Sequence, residues 1–184
     1  MHIAEILIIA VGVSMDAFAV SICKGLSVQT LRPKHAALTA LWFGGFQALM
    51  PLVGYFLGVS FADFVSSVDH WIAFILLGII GGNMIKESFS NDDCEHSPDF
   101  SANAMFPMAV ATSIDALAIG VSLAFLRVDI WSAVLMIGLI TGAFSAAGVC
   151  IGKFFGSRYK SKAEFAGGFI LVAMGLKILL EHTL

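Results

Sequence analysis

The sequence predicts an all-α integral membrane protein in which six transmembrane helices form two inverted three-helix repeats. Composition is the first ground: of 184 residues, 59% are hydrophobic and only 12% charged, against about 25% charged in an average soluble domain. Mean hydropathy is +0.93. The second ground is six apolar stretches approaching the roughly 20 residues needed to cross the hydrocarbon: Ile3–Cys23, Ala36–Leu57, Trp71–Lys86, Ala104–Leu126, Ile130–Cys150 and Phe165–Leu180. The third is an acidic signature that occurs twice, 99 positions apart, as Ser14-Met15-Asp16-Ala17-Phe18-Ala19 and Ser113-Ile114-Asp115-Ala116-Leu117-Ala118.

Span 1 has no basic leader and no small-residue cleavage site, and it carries Asp16, so it reads as a retained helix rather than a signal peptide. An aspartate at the centre of a membrane helix costs roughly 2.5–3.5 kcal/mol on insertion scales and faces a bundle interior or a wet path. On a 3.6-residue period Gly12, Ala19 and Cys23 share its face. Such small residues admit a close helix or an ion with its waters. Span 2 carries Gln47 and Pro51, the latter removing a helical hydrogen bond and favouring a kink. In span 3, Asn83 and Glu87 lie one turn apart on one face. Asn83 offers a hard amide oxygen or an interhelical hydrogen bond, whereas Glu87 sits where a side chain snorkels to water.

The acidic stretch Ser88–Asp99 reads as a solvated linker that also collects cations. In span 4, Thr112 and Ser113 precede Asp115, whose face holds Ala111, Ala118 and Ser122. Span 5 contributes Thr141, and span 6 contributes Lys177, four residues before a pairing partner in Glu181. Gly-x-x-x-Gly pairs at Gly54/Gly58, Gly78/Gly82, Gly138/Gly142 and Gly148/Gly152 point to close helix packing.

An internal repeat ties these elements together. At an offset of 99, Ser14, Asp16, Ala17 and Ala19 fall on Ser113, Asp115, Ala116 and Ala118. At an offset of 94, Gly44, Gln47, Gly54, Gly58, Gly81, Asn83 and Glu87 fall on Gly138, Thr141, Gly148, Gly152, Gly175, Lys177 and Glu181. The chain therefore divides into a first repeat at 1–87, a linker at 88–103 and a second repeat at 104–184. Three spans per repeat make the second copy enter the membrane in the opposite sense. That is the architecture of many secondary transporters, with the substrate site at the midplane between the halves.

Basic residues set the orientation. Lys24, Arg32, Lys34, Lys86, Lys153, Arg158, Lys160 and Lys162 fall on one side, and Arg127 and Lys177 on the other. By the positive-inside rule the first set is cytoplasmic and both termini are outside.

The chemistry narrows by what the spans contain. The five histidines lie at span ends or in loops, and the three cysteines form no C-x-x-C, which argues against a buried tetrahedral zinc site; three unpaired-looking cysteines give no argument for a disulfide framework. Carboxylate, amide, hydroxyl and carbonyl oxygens suit Mg²⁺, Ca²⁺ or Mn²⁺, with Met15, Met84 and Met108 as soft donors or gap fillers. The expected ion ligands are Asp16, Asp115 and Asn83, supported by Ser14, Gln47, Thr112, Ser113 and Glu87. No P-loop, H-E-x-x-H or G-x-S-x-G pattern occurs, so neither an ATP-driven pump nor an enzyme has a motif, and no permanent cofactor is expected.

Four segments resemble the bacterial manganese efflux pump family, a six-span group of the lysine-exporter superfamily. They are Ser14–Ser21, Thr112–Ala118, Phe43-Gly44-Gly45-Phe46-Gln47 ahead of Pro51 and Gly54, and Gly78–Glu87. The resemblance implies export of Mn²⁺ across the bacterial inner membrane, with Asp16 and Asp115 as the functional carboxylates. Protons are the natural driving partner in the absence of a nucleotide motif, and lipids and a second copy of the chain are the other partners it leaves open. Export of another divalent cation, or of a small organic cation or amino acid, fits the same superfamily. A membrane scaffold accounts for the apolar spans but not for two carboxylates at matching depth.

Overall fold

The computed structural model describes residues 3–65, 69–89, 99–126, 128–155 and 160–183, and every regular element among them is helical. The elements are α1 (Ile3–Ser27), α2 (Pro33–Val65), α3 (Asp69–Ser88), α4 (Ala102–Ala111), α5 (Ile114–Phe125), α6 (Ile130–Phe155) and α7 (Lys160–Thr183). Among the described residues four helices are long and apolar enough to cross a membrane, five if α4 and α5 count as one span. Among the described residues, Phe74–Lys86 of α3 counts as a shorter apolar helix. Large apolar side chains cover the outside as well as the inside: Leu41, Trp131 and Leu139 are 71%, 66% and 67% exposed. Helices apolar all round suit lipid rather than water.

The expected fourth span, Ala104–Leu126, is not one helix. It breaks at Thr112–Ser113, and α4 and α5 meet at a 43° bend. The cause is local. Pro107 lies inside α4 and weakens its hydrogen-bond ladder. The hydroxyl of Thr112 then donates back to the carbonyls of Met108 (3.0 Å) and Ala109 (3.3 Å), and that of Ser113 to Val110 (3.1 Å). Such back-bonding competes with continued helix. Pro51, by contrast, leaves α2 a single helix.

Helix α1 packs on α6 and α7, and α5 packs on α2 and α3; α2 also crosses α6, and α3 crosses α7. The larger core cluster buries Ile9 and Val13 of α1, Leu77 of α3, Ala116 and Ile119 of α5, Ile137 of α6 and Leu171 of α7 together, and a smaller one joins Ala17, Phe43, Met105 and Ala109. Glycines set the closest approaches. A Cβ at Gly148 would stand 2.9 Å from the Phe18 carbonyl oxygen, and one at Gly54 would overlap that of Leu117. Likewise Gly152 abuts Ile22, Gly58 abuts Val121, and a Cβ at Gly44 would lie 2.8 Å from the Gly138 oxygen. Gly78 and Gly82 depart from expectation, since nothing lies within 4 Å of either Cβ position. Their motif packs no helix among the described residues.

Three further expectations give way near the helix ends. Lys177 pairs with Glu5 of α1, 172 residues away, because α7 packs along α1 and brings its ammonium to a carboxylate buried there. The side chain of Glu181 lies outside the described residues. Cys23 is disulfide-bonded whereas Cys150 is a free thiol, although the three cysteines gave no argument for a bridge. Lys24 is not a loop cation either: it is buried at the end of α1, donating to the Asp99 carbonyl at 2.7 Å and standing 5.2 Å over the Phe100 ring. Asp99 itself, at the exposed end of the linker, is held below the usual carboxylate range by hydrogen bonds from the Ser101 backbone N–H and hydroxyl. The rest of the expected linker falls mostly outside the described residues.

Candidate functional site

A cavity of about 390 Å³ lies between α1, α3 and the α4–α5 break, and it is lined by Asp16, Leu76, Ile79, Ile80, Asn83, Met84, Ala111, Ile114, Asp115 and Ala118. Asp16, Asp115 and Asn83 thus come together from three helices that are far apart in sequence. The two aspartates feel each other electrostatically. Ala111 and Ala118, the small neighbours of Asp115 on the helical wheel, line the same space and leave room beside the carboxylate.

The backbone sets the two aspartates differently. Asp16 sits in the middle of an unbroken helix, while Asp115 sits in the first turn of α5. There Asp115 Oδ1 accepts the Ala116 N–H at 2.8 Å, satisfying one of the donors that a helix start leaves open. The C-terminal end of α4, at Ala111, also faces the cavity. A helix C-terminus carries partial negative charge and favours a cation; broken helices place such ends at the ion sites of transporters.

Gln47 braces the break from α2. Its Nε2 donates to the Thr112 carbonyl at 2.9 Å while the residue is fully buried. Two buried oxygens close to the break, Gln47 Oε1 and Asp115 Oδ2, have no hydrogen-bond partner among the described residues. Buried polar atoms normally find one; of the two residues, Asp115 lines the cavity and Gln47 does not. The side chain of Gln47 is within electrostatic reach of Asp115, but no hydrogen bond of good geometry joins Oδ2 to it.

The remaining expected polar residues act on the framework. Ser14 donates to the Ala10 carbonyl at 2.6 Å and shares a 2.7 Å hydroxyl contact with Thr141. Thr112 and Ser113 spend their hydroxyls on α4 carbonyls. None of the three lines the cavity. The side chain of Glu87 lies outside the described residues. Among the methionines, Met84 lines the cavity, Met15 packs against Gly167, and Met108 packs beside Phe43 and Met105. Among the described residues no three His, Cys, Asp or Glu side chains cluster as a metal cage. The sequence reading missed the apolar α3 wall, Leu76, Ile79 and Ile80, and it missed the helix break. Pro107, followed by adjacent Thr112 and Ser113, was the available signal for the break.

Residues 30–179 match the family described as "Putative manganese efflux pump". The chain belongs to that family. It is 56% identical over 180 residues to a protein of Bifidobacterium adolescentis, covering 97% of this chain and 96% of the relative. It is 59% identical over 179 residues to one of Acetivibrio thermocellus (97% and 90% covered) and 52% identical over 186 residues to one of Mannheimia succiniciproducens (100% and 99% covered). All three relatives carry the name "Putative manganese efflux pump MntP". The family is one of transporters and not of enzymes. No solved structure matches the chain.

Proposed function

We propose that the chain exports Mn²⁺ from the cytoplasm as a secondary transporter built from two inverted three-helix repeats and driven by proton antiport. The observation that carries this reading is the meeting of two repeat-equivalent aspartates, one from each half, in one cavity among apolar helices. The names of the relatives supply the ion. Asp16 and Asp115 bind it, the Asn83 amide completes the shell, and Gln47 holds the α4–α5 break in place behind Asp115. Glu87 acts at the inner mouth, beyond the first ligands.

The packing supports the repeat. Exchanging α1 with α4–α5, α2 with α6 and α3 with α7 carries the set of helix contacts onto itself: α1 on α6 becomes α5 on α2, and α1 on α7 becomes α5 on α3. Individual contacts follow the same rule. Gly148 against Phe18 becomes Gly54 against Leu117, and Gly152 against Ile22 becomes Gly58 against Val121. With three helices per half, such symmetry supports inverted halves that alternate access. The basic side then faces the cytoplasm of the bacterial inner membrane, and both termini face out.

Coupling follows from the ligands. A carboxylate binds a divalent ion only when ionised, so protons arriving from outside discharge the site and release Mn²⁺. They leave to the cytoplasm when the site turns inward. The direct test is purified protein in proteoliposomes with an imposed pH gradient, offered Mn²⁺, Mg²⁺, Ca²⁺ and Fe²⁺ in turn. Mn²⁺ flux that depends on the gradient and vanishes in both Asp16→Asn and Asp115→Asn supports the reading. Flux without dependence on the gradient removes the antiport, and preference for another cation makes that cation the substrate.

A further inference from the structure

Glu5 and Lys177 form an ion pair across α1 and α7, with Glu5 only 7% exposed among apolar neighbours such as Ile6 and Ile9. The Lys177 side chain is 44% exposed, so the cost of burial falls on Glu5, a carboxylate among apolar residues, where an apolar side chain would hold the two helices together as well or better. The pair therefore calls for a role other than adhesion. Its place in the repeat suggests one. At the offset of 94, Lys177 falls on Asn83, and at the offset of 99, Glu5 falls on Ala104. The equivalent pair in the other half, Asn83 on α3 and Ala104 on α4, is thus uncharged, and the cavity that Asn83 lines opens in that half.

The α1–α7 interface is filled where the α3–α5 interface is hollow. Leu171 and Ile170 press on Gly12, with a Cβ there only 3.0 Å from Leu171, and Gly167 presses on Met15. The counterparts of Ile170, Gly12 and Met15, namely Leu76, Ala111 and Ile114, line the cavity, while Leu77, the counterpart of Leu171, is buried in the core. One repeat-related cleft is open and the other is shut, and the shut one carries the ion pair.

We propose that Glu5–Lys177 is the latch of the outer gate. This rests on the alternating-access reading above, in which α7 must part from α1 to release the ion outside. Parting breaks the pair and leaves the Lys177 ammonium at the depth where the inward cleft presents the neutral Asn83 amide. A fixed cation there opposes return of a divalent ion, while the inner cleft has no such barrier. The same residue thus keeps the gate shut at rest and favours one direction when the gate opens.

The test measures Mn²⁺ flux in both directions through the full chain in oriented vesicles. Lys177→Gln is expected to raise entry from the outer side about 5- to 20-fold, the scale of a typical coupling between two sites, and to lower net export. Glu5→Gln raises it less, since the ammonium stays. Lys177→Arg keeps both the pair and the cation and returns outer-side entry to within about twofold of the parent, on the same scale, whereas the charge swap Glu5→Lys with Lys177→Glu keeps the pair but not the cation at 177, so its outer-side entry falls between the parent and Lys177→Gln. Should the single variants fail to insert, the Arg variant and the swap still decide the matter. Outer-side entry in Lys177→Gln equal to the parent, or a well-inserted swap that behaves as the broken pair, overturns the latch. Asp16→Asn run in parallel separates the two readings: if it leaves flux intact, the ion-site reading fails whatever the latch variants do.

Discussion

Helix α1 and the α4–α5 pair carry the same Ser-x-Asp-Ala-x-Ala signature, yet α1 runs unbroken for 25 residues while its counterpart bends by 43° just ahead of the aspartate. Three positions make the difference. Pro107 stands where α1 has Ile8, and Thr112 stands where it has Val13. The shared serine also bonds differently, Ser14 to the carbonyl four residues back and Ser113 to the one three back. A repeat can thus conserve the ligand and its small-residue face while changing the backbone beneath. The break turns helix ends toward the cavity, which a continuous helix cannot do. Across the interface the braces match in place and differ in strength: Thr141 meets the Ser14 hydroxyl, and Gln47 meets the freed Thr112 carbonyl.

If the two aspartates form one site despite these settings, removing either charge stops transport. Asp16→Asn and Asp115→Asn are each expected to reduce Mn²⁺ flux by more than about 100-fold, since even partners standing behind a metal ligand cost about 10- to 100-fold when lost. The double variant should be little worse than either single one, because groups that act as a unit do not add. Protein levels in the membrane should be unchanged. A single variant that keeps most of its flux would break the equivalence of the two halves.

The repeat-matched glycines give the next largest effect, this time on folding. Gly54→Leu and Gly148→Leu drive a side chain into the carbonyls of Leu117 and Phe18, and overpacking against backbone costs about 1–3 kcal/mol or more. Both variants should yield little monodisperse protein on detergent size-exclusion chromatography. Gly78→Leu is the contrast, because its Cβ meets nothing within 4 Å, and its yield should match the parent. Equal loss in all three would mean that glycine serves these helices in some way other than close packing.

Most of this architecture was legible in the sequence, and what was not has identifiable causes. Hydropathy and the repeat located α1, α2, α6 and α7, because a long apolar helix announces itself by composition alone. The aspartates and Asn83 were legible as candidates because polar groups in lipid are expensive and few, and the structure brings them to one cavity. The break at Thr112–Ser113 was not, since a single apolar run reads the same whether or not its backbone turns. Nor were the partners of Lys177 and Lys24. A local i,i+4 rule assigned the first and loop counting the second, and neither sees contacts across the bundle. Gly78/Gly82 misled for the same reason: spacing marks a small face without saying whether a helix covers it.

The unequal braces allow a finer comparison. Gln47→Ala leaves the Thr112 carbonyl without its donor in a buried place, at a cost of about 1–3 kcal/mol. Thr141→Val removes one hydroxyl contact while Ser14 keeps its bond to Ala10, and hydrogen bonds between membrane helices average about 0.6 kcal/mol. Thermal unfolding in detergent should therefore show the larger drop for Gln47→Ala. Flux should fall with it several-fold, since Gln47 also stands beside Asp115. If Thr141→Val costs as much, the broken helix is no more dependent on its brace than the straight one.

The smallest effect is expected from giving α4 the residues of α1. Thr112→Val removes the two back-bonds from the hydroxyl and adds only about 0.5 kcal/mol of change in stability, within the range of substitutions that remove no core packing. Adding Pro107→Ile restores a helical N–H and removes the ring that weakens the ladder. Together they favour continuation of the helix through residue 113, which withdraws the α4 terminus from the cavity and turns Asp115 away from Asp16. Stability should then rise or hold while Mn²⁺ flux declines by a few-fold, the opposite signs that mark strain retained for function. A double variant that is more stable and transports at the parent rate would show that the bend is incidental, and that the two halves need share only their carboxylates.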